Sequence, residues 1–484
     1  MSKEFDKSWD EWLELNLRRG CDKDEIFKIL IDEGFDQAFV EKKMDYKPTI
    51  EIESIINPLK TNTSSNTGTW FKLKFDKIRN AFKIIYKKDA SFTKYDSSKI
   101  YIPNANKAKT DDAEFYTLED FLTDEECKKI TTLIKKKLRP STIVNKHEPD
   151  KNFRTSRTCD LGIMDDPFIK EIDLRICKTL GIDPSYSEVM QGQYYQPGEE
   201  FKAHTDYFEG KYYDEFAAEQ GQRTYTFMVY LNDVKKGGET EFLKLDKKIM
   251  PKLGTAIIWN NLNDDGSVNP KTLHQAHPVK AGYKSIITKW FRSNGEGSMF
   301  TKTDAELKKN LTNKGFMKTS LDQSLYKKIK VFYEENKDSV NTEIVEGFIH
   351  RSDSDKPASK VVELPEKIKS EIHQNLKPIL EEWSGVNLEP TYVYGIRVYE
   401  RGAILVEHRD RKITHIVSTI INVDQNVDVD WPLFIDDHYY RTHKINLKPG
   451  EVLFYEGARL KHGRPEPLEG ESYANIFCHF KLES

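Results

Sequence analysis

Two stretches of this chain break into short β-type runs separated by glycine-bearing turns, and that pattern limits the fold more than any other feature. The first stretch contains "YTFMVYLNDV", "TEFLKL", "GTAIIWNN" and "KSIITKWF", with turn signals such as "KKGGE" between them. The second runs from about Pro390 to Leu482 and contains "YVYGIRVYE", "HIVSTIINV", "EVLFYEG" and "NIFCHFK". Many short strands punctuated by glycine predict a β-sandwich or jelly roll, with the preceding helices packed outside. Helical patterns do precede both blocks. "FLTDEECKKITTLIKKKL" carries a Thr123/Glu126 capping box and apolar positions at Ile130, Leu133, Ile134 and Leu138. Leu321 to Glu335 and Glu366 to Trp383 play the same part before the second block. Helices followed by strands thus occur twice, as a duplication of architecture without residue-level identity.

The expected fold is α+β and mainly β: two double-stranded β-helix (jelly-roll) domains, each preceded by packing helices, plus a small N-terminal helical module. Residues 1–48 form the module. Trp9, Trp12 and Leu13 share a face there, and an Asp22/Glu25 capping box precedes Ile26, Phe27, Leu30 and Ile31. Gly34 reads as a helix stop, and Asp36 caps a further helix carrying Phe39, Val40 and Met44. Residues 49–110 hold the polar linker "TNTSSNTGT" and a lysine-rich accessory segment. The first β-rich domain is expected over 111–297, a connecting segment over 298–330, and the second domain over 331–484.

Bulk properties exclude several classes of function. The 484 residues carry a net charge of only −4, so no global field draws the chain onto nucleic acid or anionic lipid. It also has no basic, aromatic-interleaved groove of the kind that nucleic acid requires. No apolar run approaches membrane-spanning length, and "MSKEFDKSWDEW" lacks the apolar core of a signal peptide. The five cysteines are odd in number, scattered and never spaced as CxxC, which fits a reducing compartment. A cytoplasmic protein with no membrane partner is the expectation; the oligomeric state is not readable.

Chemistry concentrates in "YYQPGEEFKAHTDYFEG", Tyr194 to Gly210. Side chains alternate along a strand, so His204 and Asp206 face one way while Thr205 faces the other. An imidazole beside a carboxylate is two-thirds of the 2-His-1-carboxylate triad that holds Fe(II) and leaves positions open. "TLHQAHPVKAGYKSIITKWFR" offers His274 and His277 for the missing place; being an odd number apart, only one can join. Lys284 follows ten residues after His274, across the turn "VKAG". If it points inward, it implies a buried anionic ligand, because an unpartnered buried ammonium is strongly unfavourable.

Several motifs here stand in register with one family. "EDFLTDEEC", "RTSRTCDLG", "YYQPGEEFKAHTDYF", "RTYTFMVYLNDVKKGGETEF", "GTAIIWNN" and "LHQAHPVKAGYKSIITKWF" follow one another from about Phe115 to Asn294. This region resembles the catalytic domain of prolyl 4-hydroxylases, within the iron- and 2-oxoglutarate-dependent dioxygenases. The resemblance implies that His204, Asp206 and His274 bind Fe(II), and that Lys284 pairs with the distal carboxylate of 2-oxoglutarate. Tyr195 falls on the tyrosine whose hydroxyl contacts that co-substrate, and His277 takes a supporting position. Arg154 and Arg157 match a loop beside the substrate channel, whereas Trp259 and Trp290 read as core. The implied reaction consumes O2 and 2-oxoglutarate, with ascorbate as auxiliary reductant, and releases succinate and CO2 while hydroxylating a proline-containing peptide or protein.

The second β block repeats the theme. "VYERGAILVEHRDRKITHIVST" contains a tyrosine, a glycine turn and then His408-x-Asp410, and "EGARLKHGRPEP" supplies His462. It resembles a second, divergent oxygenase-like jelly roll. Ten residues after His462 stands Ser472 rather than lysine, and Arg397 on the preceding strand is the expected substitute, since an arginine fork suits a carboxylate. Two readings stay open for this block: a second metal site, or a degenerate domain kept for binding or stability. For the whole chain the rivals are a same-fold oxygenase on a non-prolyl substrate and a non-catalytic double jelly-roll scaffold.

Overall fold

In this computed structural model Leu13, Leu17 and residues 23–32, 35–47, 99–108, 112–141, 150 and 153–483 are described. The chain divides into two units, residues 1–91 and 92–484. In the first unit, helices Lys23–Asp32 and Gln37–Met44 are described. Asp36 caps the second of them, its side chain accepting a hydrogen bond from the Phe39 N–H. Ile26, Phe27, Leu30, Val40 and Met44 bury themselves with Leu13 and Phe35. Phe39, expected on the inner face, is exposed. Trp9, Trp12, Asp22, Gly34, the linker Thr61 to Thr69 and most of the lysine-rich stretch lie outside the described residues.

The second unit is mostly β-sheet. Its first large sheet has eight strands. In spatial order they are Asn106–Lys107, Phe115–Leu118, Ala256–Asn260, Arg223–Tyr230, Lys284–Arg292, Gln191–Tyr195, Arg157–Asp160 and Arg139–Pro140. A smaller sheet orders Lys247–Ile249, Thr240–Phe242, His274–Ala276 and Phe201–His204. Between the two sheets lies one apolar layer, in which Phe242 and Ala276 of the small sheet meet Tyr195, Tyr230, Ile257, Trp259 and Ile286 of the large one. The large sheet's other side is covered by helices Asp124–Lys136 and Pro167–Leu180. Their Ile130, Ile134, Ile169, Ile172 and Ile176 pack on Phe227, Val229, Ile258 and Ile287. The first helix is opened by the expected capping box, Thr123 and Glu126 each bonding the other's backbone N–H. The expected apolar positions Leu133 and Leu138 are only half-buried.

The second pair of sheets repeats the core of this order, with one strand fewer in the large sheet and one more in the small one. Seven strands run Phe316–Ser320, Glu451–Tyr455, Val417–Val427, Gly470–Leu482, Leu388–Glu400, Ser359–Val361 and Asn341–Glu343. Five run Ile349–Arg351, Ala403–His408, His462–Arg464, Leu433–Asp436 and Thr442–Ile445. Ala403, Leu433 and Ile435 face Tyr399, Ile420, Leu453 and Tyr455 across the inner layer. Helices Gln323–Asn336 and Glu366–Ser384 cover the outer face through Leu325, Ile329, Ile372, Leu376 and Leu380.

Two stretches expected to lie outside the domains take part in this fold. Phe316–Ser320, inside the expected connection 298–330, pairs with Glu451–Tyr455 as an edge strand. Ile100 and Ile102, inside the expected accessory segment 49–110, are buried in the core beneath the first pair's helices. No helix among the described residues is long and apolar enough to cross a membrane.

Candidate metal centre

His204 ends the strand Phe201–His204, and His274 begins the strand His274–Ala276. The two strands are antiparallel neighbours with these residues opposite each other, so the rings meet with centroids 4.3 Å apart. Asp206 stands two residues further on, just past the strand end rather than within it. Even so it joins the pair: one donor atom from each of the three residues lies within 4.8 Å of the other two. His277 leaves on the opposite face, its Nε2 2.5 Å from Glu241 at the partly exposed outer side.

The donor set fits a metal ion. His204 Nδ1 lies 2.8 Å from the Lys202 carbonyl, and His274 Nδ1 lies 2.9 Å from the Thr272 carbonyl. A carbonyl oxygen can only accept, so each Nδ1 carries the proton and each Nε2 keeps a free lone pair. Asp206 Oδ2 accepts a hydrogen bond from the Thr226 hydroxyl at 2.7 Å, and Thr226 accepts one from Asn261 at 2.9 Å. Trp259 meets His274 edge-on at 5.0 Å, and Phe201 stacks on His204 at 3.5 Å. Ring orientation is therefore fixed by packing as well as by hydrogen bonds. Burial, with His274 alongside, pushes His204 down to about 3, so its ring is neutral and able to ligate. Burial alone pushes the Asp206 carboxyl up. His274, His204, Arg223 and the Thr226 hydroxyl outweigh that effect and hold it below the usual carboxylate range.

Lys284 begins the strand Lys284–Arg292 directly opposite Tyr195 and is 1% exposed. Its ammonium donates to Thr240 Oγ1 at 3.2 Å and lies over the rings of Tyr195 and Tyr230 at 5.3 and 5.6 Å. Burial pushes it down to about 7. A cation so enclosed is costly unless a ligand brings the opposite charge. The Tyr195 hydroxyl is buried beside it and donates to Gln193 at 3.0 Å.

The two arginines of the "RTSRTCDLG" loop part company. Arg154 covers the ring of Phe201 at 4.7 Å and interacts electrostatically with Tyr195 and Asp206, which places it beside the centre. Arg157 stays at the surface, bonded to Gln196 at 3.1 Å and near Glu199 at 3.7 Å, and does not reach the triad. Sequence reasoning missed Thr226 and Arg223. Arg223 donates to the Asp206 carbonyl at 3.3 Å, forks onto Glu188 at 2.6 and 2.7 Å, and lies over Trp290 at 4.1 Å. Both lie in the run "RTYTFMVY", where threonines at the alternate positions 224 and 226 of a buried strand were the available signal for Thr226; Arg223 had none. Trp259, expected as plain core, is the wall of the His274 site.

The second pair of sheets builds the same constellation. His408 and His462 stand opposite each other on neighbouring strands, with ring centroids 4.6 Å apart. Asp410 joins them, again with the donor atoms within 4.8 Å of one another. Asp410 Oδ2 accepts from the Ser418 hydroxyl at 3.0 Å. Arg397, expected from the preceding strand as a co-substrate anchor, is corrected here. It forks onto Glu343 at 2.6 and 2.7 Å and is neutralised within the protein.

Comparison with known proteins places these features. The model of the 2OG-Fe(II) oxygenase superfamily matches residues 190–292, which lie wholly within the first pair of sheets and include His204, Asp206, His274 and Lys284. Prolyl 4-hydroxylase subunit alpha-2 of Gallus gallus is 33% identical over 182 residues, covering 36% of this chain and 33% of that protein. Probable prolyl 4-hydroxylase 8 of Arabidopsis thaliana is 32% identical over 199 residues, covering 36% of this chain and 67% of that protein. Among solved structures, a viral collagen prolyl hydroxylase from Paramecium bursaria Chlorella virus-1, in complex with 2OG, is 28% identical. That match covers 37% of this chain and 95% of that one, with a TM-score of 0.30. This chain spans about a third of the length of the Gallus gallus relative.

Proposed function

The chain belongs to the 2OG-Fe(II) oxygenase superfamily, alongside the prolyl 4-hydroxylases, and from that premise we propose that it hydroxylates a prolyl residue in a peptide or protein. In this proposal each pair of sheets is a double-stranded β-helix. The catalytic one spans about 111–297, and the other takes in the edge strand Phe316–Ser320 as well as 331–484. The geometry that carries the proposal is the convergence of His204, Asp206 and His274, with the unneutralised Lys284 on a strand of the facing large sheet.

His204 and His274 hold the metal through Nε2, and Asp206 through the carboxylate oxygen that Thr226 leaves free. When bound, Fe(II), 2-oxoglutarate and O2 supply an oxidative decarboxylation, giving succinate and CO2, that is coupled to hydroxylation of a C–H bond. The protein's work is orientation and exclusion of water. Lys284 pairs with the far carboxylate of 2-oxoglutarate, and the Tyr195 hydroxyl turns from Gln193 to the same group. Trp259 and Phe201 keep both imidazoles from rotating. Arg154, fixed over Phe201, orients the peptide at the mouth, while Arg157, tied to Gln196 and Glu199 at the surface, makes a looser contact with it. Ascorbate would serve as the auxiliary reductant. Cys127, Cys177 and Cys478 are buried outside any disulfide, which supports a reducing compartment such as the cytoplasm.

Succinate release from 2-oxoglutarate with added Fe(II), measured with and without proline-containing peptides, tests the proposal. Stimulation by such peptides is the expected result. Turnover stimulated only by a non-prolyl substrate would overturn the substrate, and no decarboxylation under any condition would overturn the activity.

A further inference from the structure

We propose that the second pair of sheets holds its own divalent metal ion on His408, Asp410 and His462, and that Arg464 grips the carboxylate of a 2-oxo acid bound to that ion. The ligand set is prepared as the first one is. His408 Nδ1 lies 2.7 Å from the Val406 carbonyl and His462 Nδ1 lies 2.9 Å from the Leu460 carbonyl, which turns both Nε2 atoms toward Asp410 Oδ1, at 3.8 and 3.6 Å. Ser418 stands opposite Tyr455 in the large sheet, as Thr226 stands opposite Trp259 in the first. Each hydroxyl of that pair bonds the ligand aspartate. Each aromatic partner meets the second histidine edge-on: Tyr455 with His462 at 4.7 Å, Trp259 with His274 at 5.0 Å. Gly457 keeps the place beside the aspartate open, since a Cβ there would stand 2.2 Å from Asp410 Oδ2.

The anion site rests on a separate observation. Arg464 follows His462 by two residues on the same strand and therefore shares its face. It is 1% exposed, yet its Nη2 has no hydrogen-bond partner, and Nη1 donates only to the Trp431 carbonyl. Among the described residues no carboxylate pairs with it. A buried guanidinium in this state asks for an anion, and its fork suits a carboxylate. Its position matches the first centre. Lys284 is opposite Tyr195, nine residues before His204; the residue opposite Tyr399, nine before His408, is Tyr473. Arg464 lies over the ring of that Tyr473 at 4.5 Å and 4.6 Å from Trp431, two rings that meet each other at 5.3 Å. The cation has moved to the facing small sheet but stays against the side chain that occupies lysine's register position.

The test uses the full chain. Metal-free protein is loaded anaerobically with Mn(II), desalted, and its metal counted. Two equivalents in the natural chain, one in His204→Ala, and none when Asp410→Asn is added to His204→Ala support the second site. One equivalent in the natural chain and none in His204→Ala would overturn it, and the natural count needs no variant that folds poorly. Binding of 2-oxoglutarate to Mn(II)-loaded His204→Ala protein then isolates the anion site. Arg464→Gln should weaken it at least about tenfold and Arg464→Lys less; equal affinity in all three would overturn the role of Arg464. Peptide-stimulated succinate release by the natural chain is a separate readout, so this proposal and the prolyl hydroxylase reading fail independently.

Discussion

The two pairs of sheets share strand order, ligand spacing and supporting hydroxyls, but they place the buried cation differently. In the first, Lys284 reaches from the large sheet; in the second, Arg464 reaches from the small sheet, beside His462. Opposed histidines and a hydroxyl-bonded aspartate are what the framework enforces, because they depend on strand pairing that both halves retain. The cation depends only on charge arriving at one place, and either strand can deliver it. The framework thus repeats the His–Asp–His geometry more strictly than the position of the buried cation.

Substitutions can break that comparison. The largest expected effect is His204→Ala. Outer partners of metal ligands typically contribute about 10–100-fold, and loss of a ligand itself should exceed that, so succinate release should fall to background. Next is Lys284→Ala, which should weaken 2-oxoglutarate binding by about 2–5 kcal/mol, or at least about 30-fold, with a smaller change in kcat. Calorimetry on the Mn(II)-loaded protein checks it. Thr226→Val and Ser418→Ala should each weaken metal binding by about tenfold at their own centre and leave the other untouched. Competition with a chromogenic chelator separates the two.

A pH series sharpens the lysine-to-arginine contrast. Burial sets Lys284 at about 7, with Glu239 the nearby acid that raises it and Tyr195 and Tyr230 its neutral neighbours. A bound carboxylate favours the ammonium, so the occupied site holds its proton to higher pH than the empty one. Binding at the first centre therefore takes up a proton above pH 7, and affinity should weaken by up to about tenfold per pH unit there. An arginine-based site stays charged and should not follow this trend. The smallest effect concerns the helix entries. Thr123→Ala removes a capping box and should cost about 1 kcal/mol in urea denaturation, whereas helix Glu366–Ser384 starts at Pro365 with no side-chain cap to lose.

How far the sequence could be read depended on whether a contact was local. The His204-x-Asp206 spacing, the Thr123 box and the lysine ten after His274 are short-range patterns, and each matched a defined place in the structure. Contacts formed by distant strands were hidden. Thr226 and Ser418 look like ordinary strand residues until pairing brings them to a carboxylate. Counting ten from His462 reached Ser472, whereas the residue opposite Tyr399 is Tyr473, so spacing pointed one place short of the ring that Arg464 covers. Arg397 looked available because Glu343, its partner, lies 54 residues away. Phe316–Ser320 was passed over because a lone edge strand in a polar segment has little periodicity to betray it.

The most direct measurement is mass spectrometry of a proline-containing peptide after incubation with the full chain, Fe(II), 2-oxoglutarate, O2 and ascorbate. The account predicts the gain of one oxygen atom on a proline, matched by one succinate, and loss of both in His204→Ala. Succinate without any gain on the peptide, or an oxygen gain that survives His204→Ala, would contradict it.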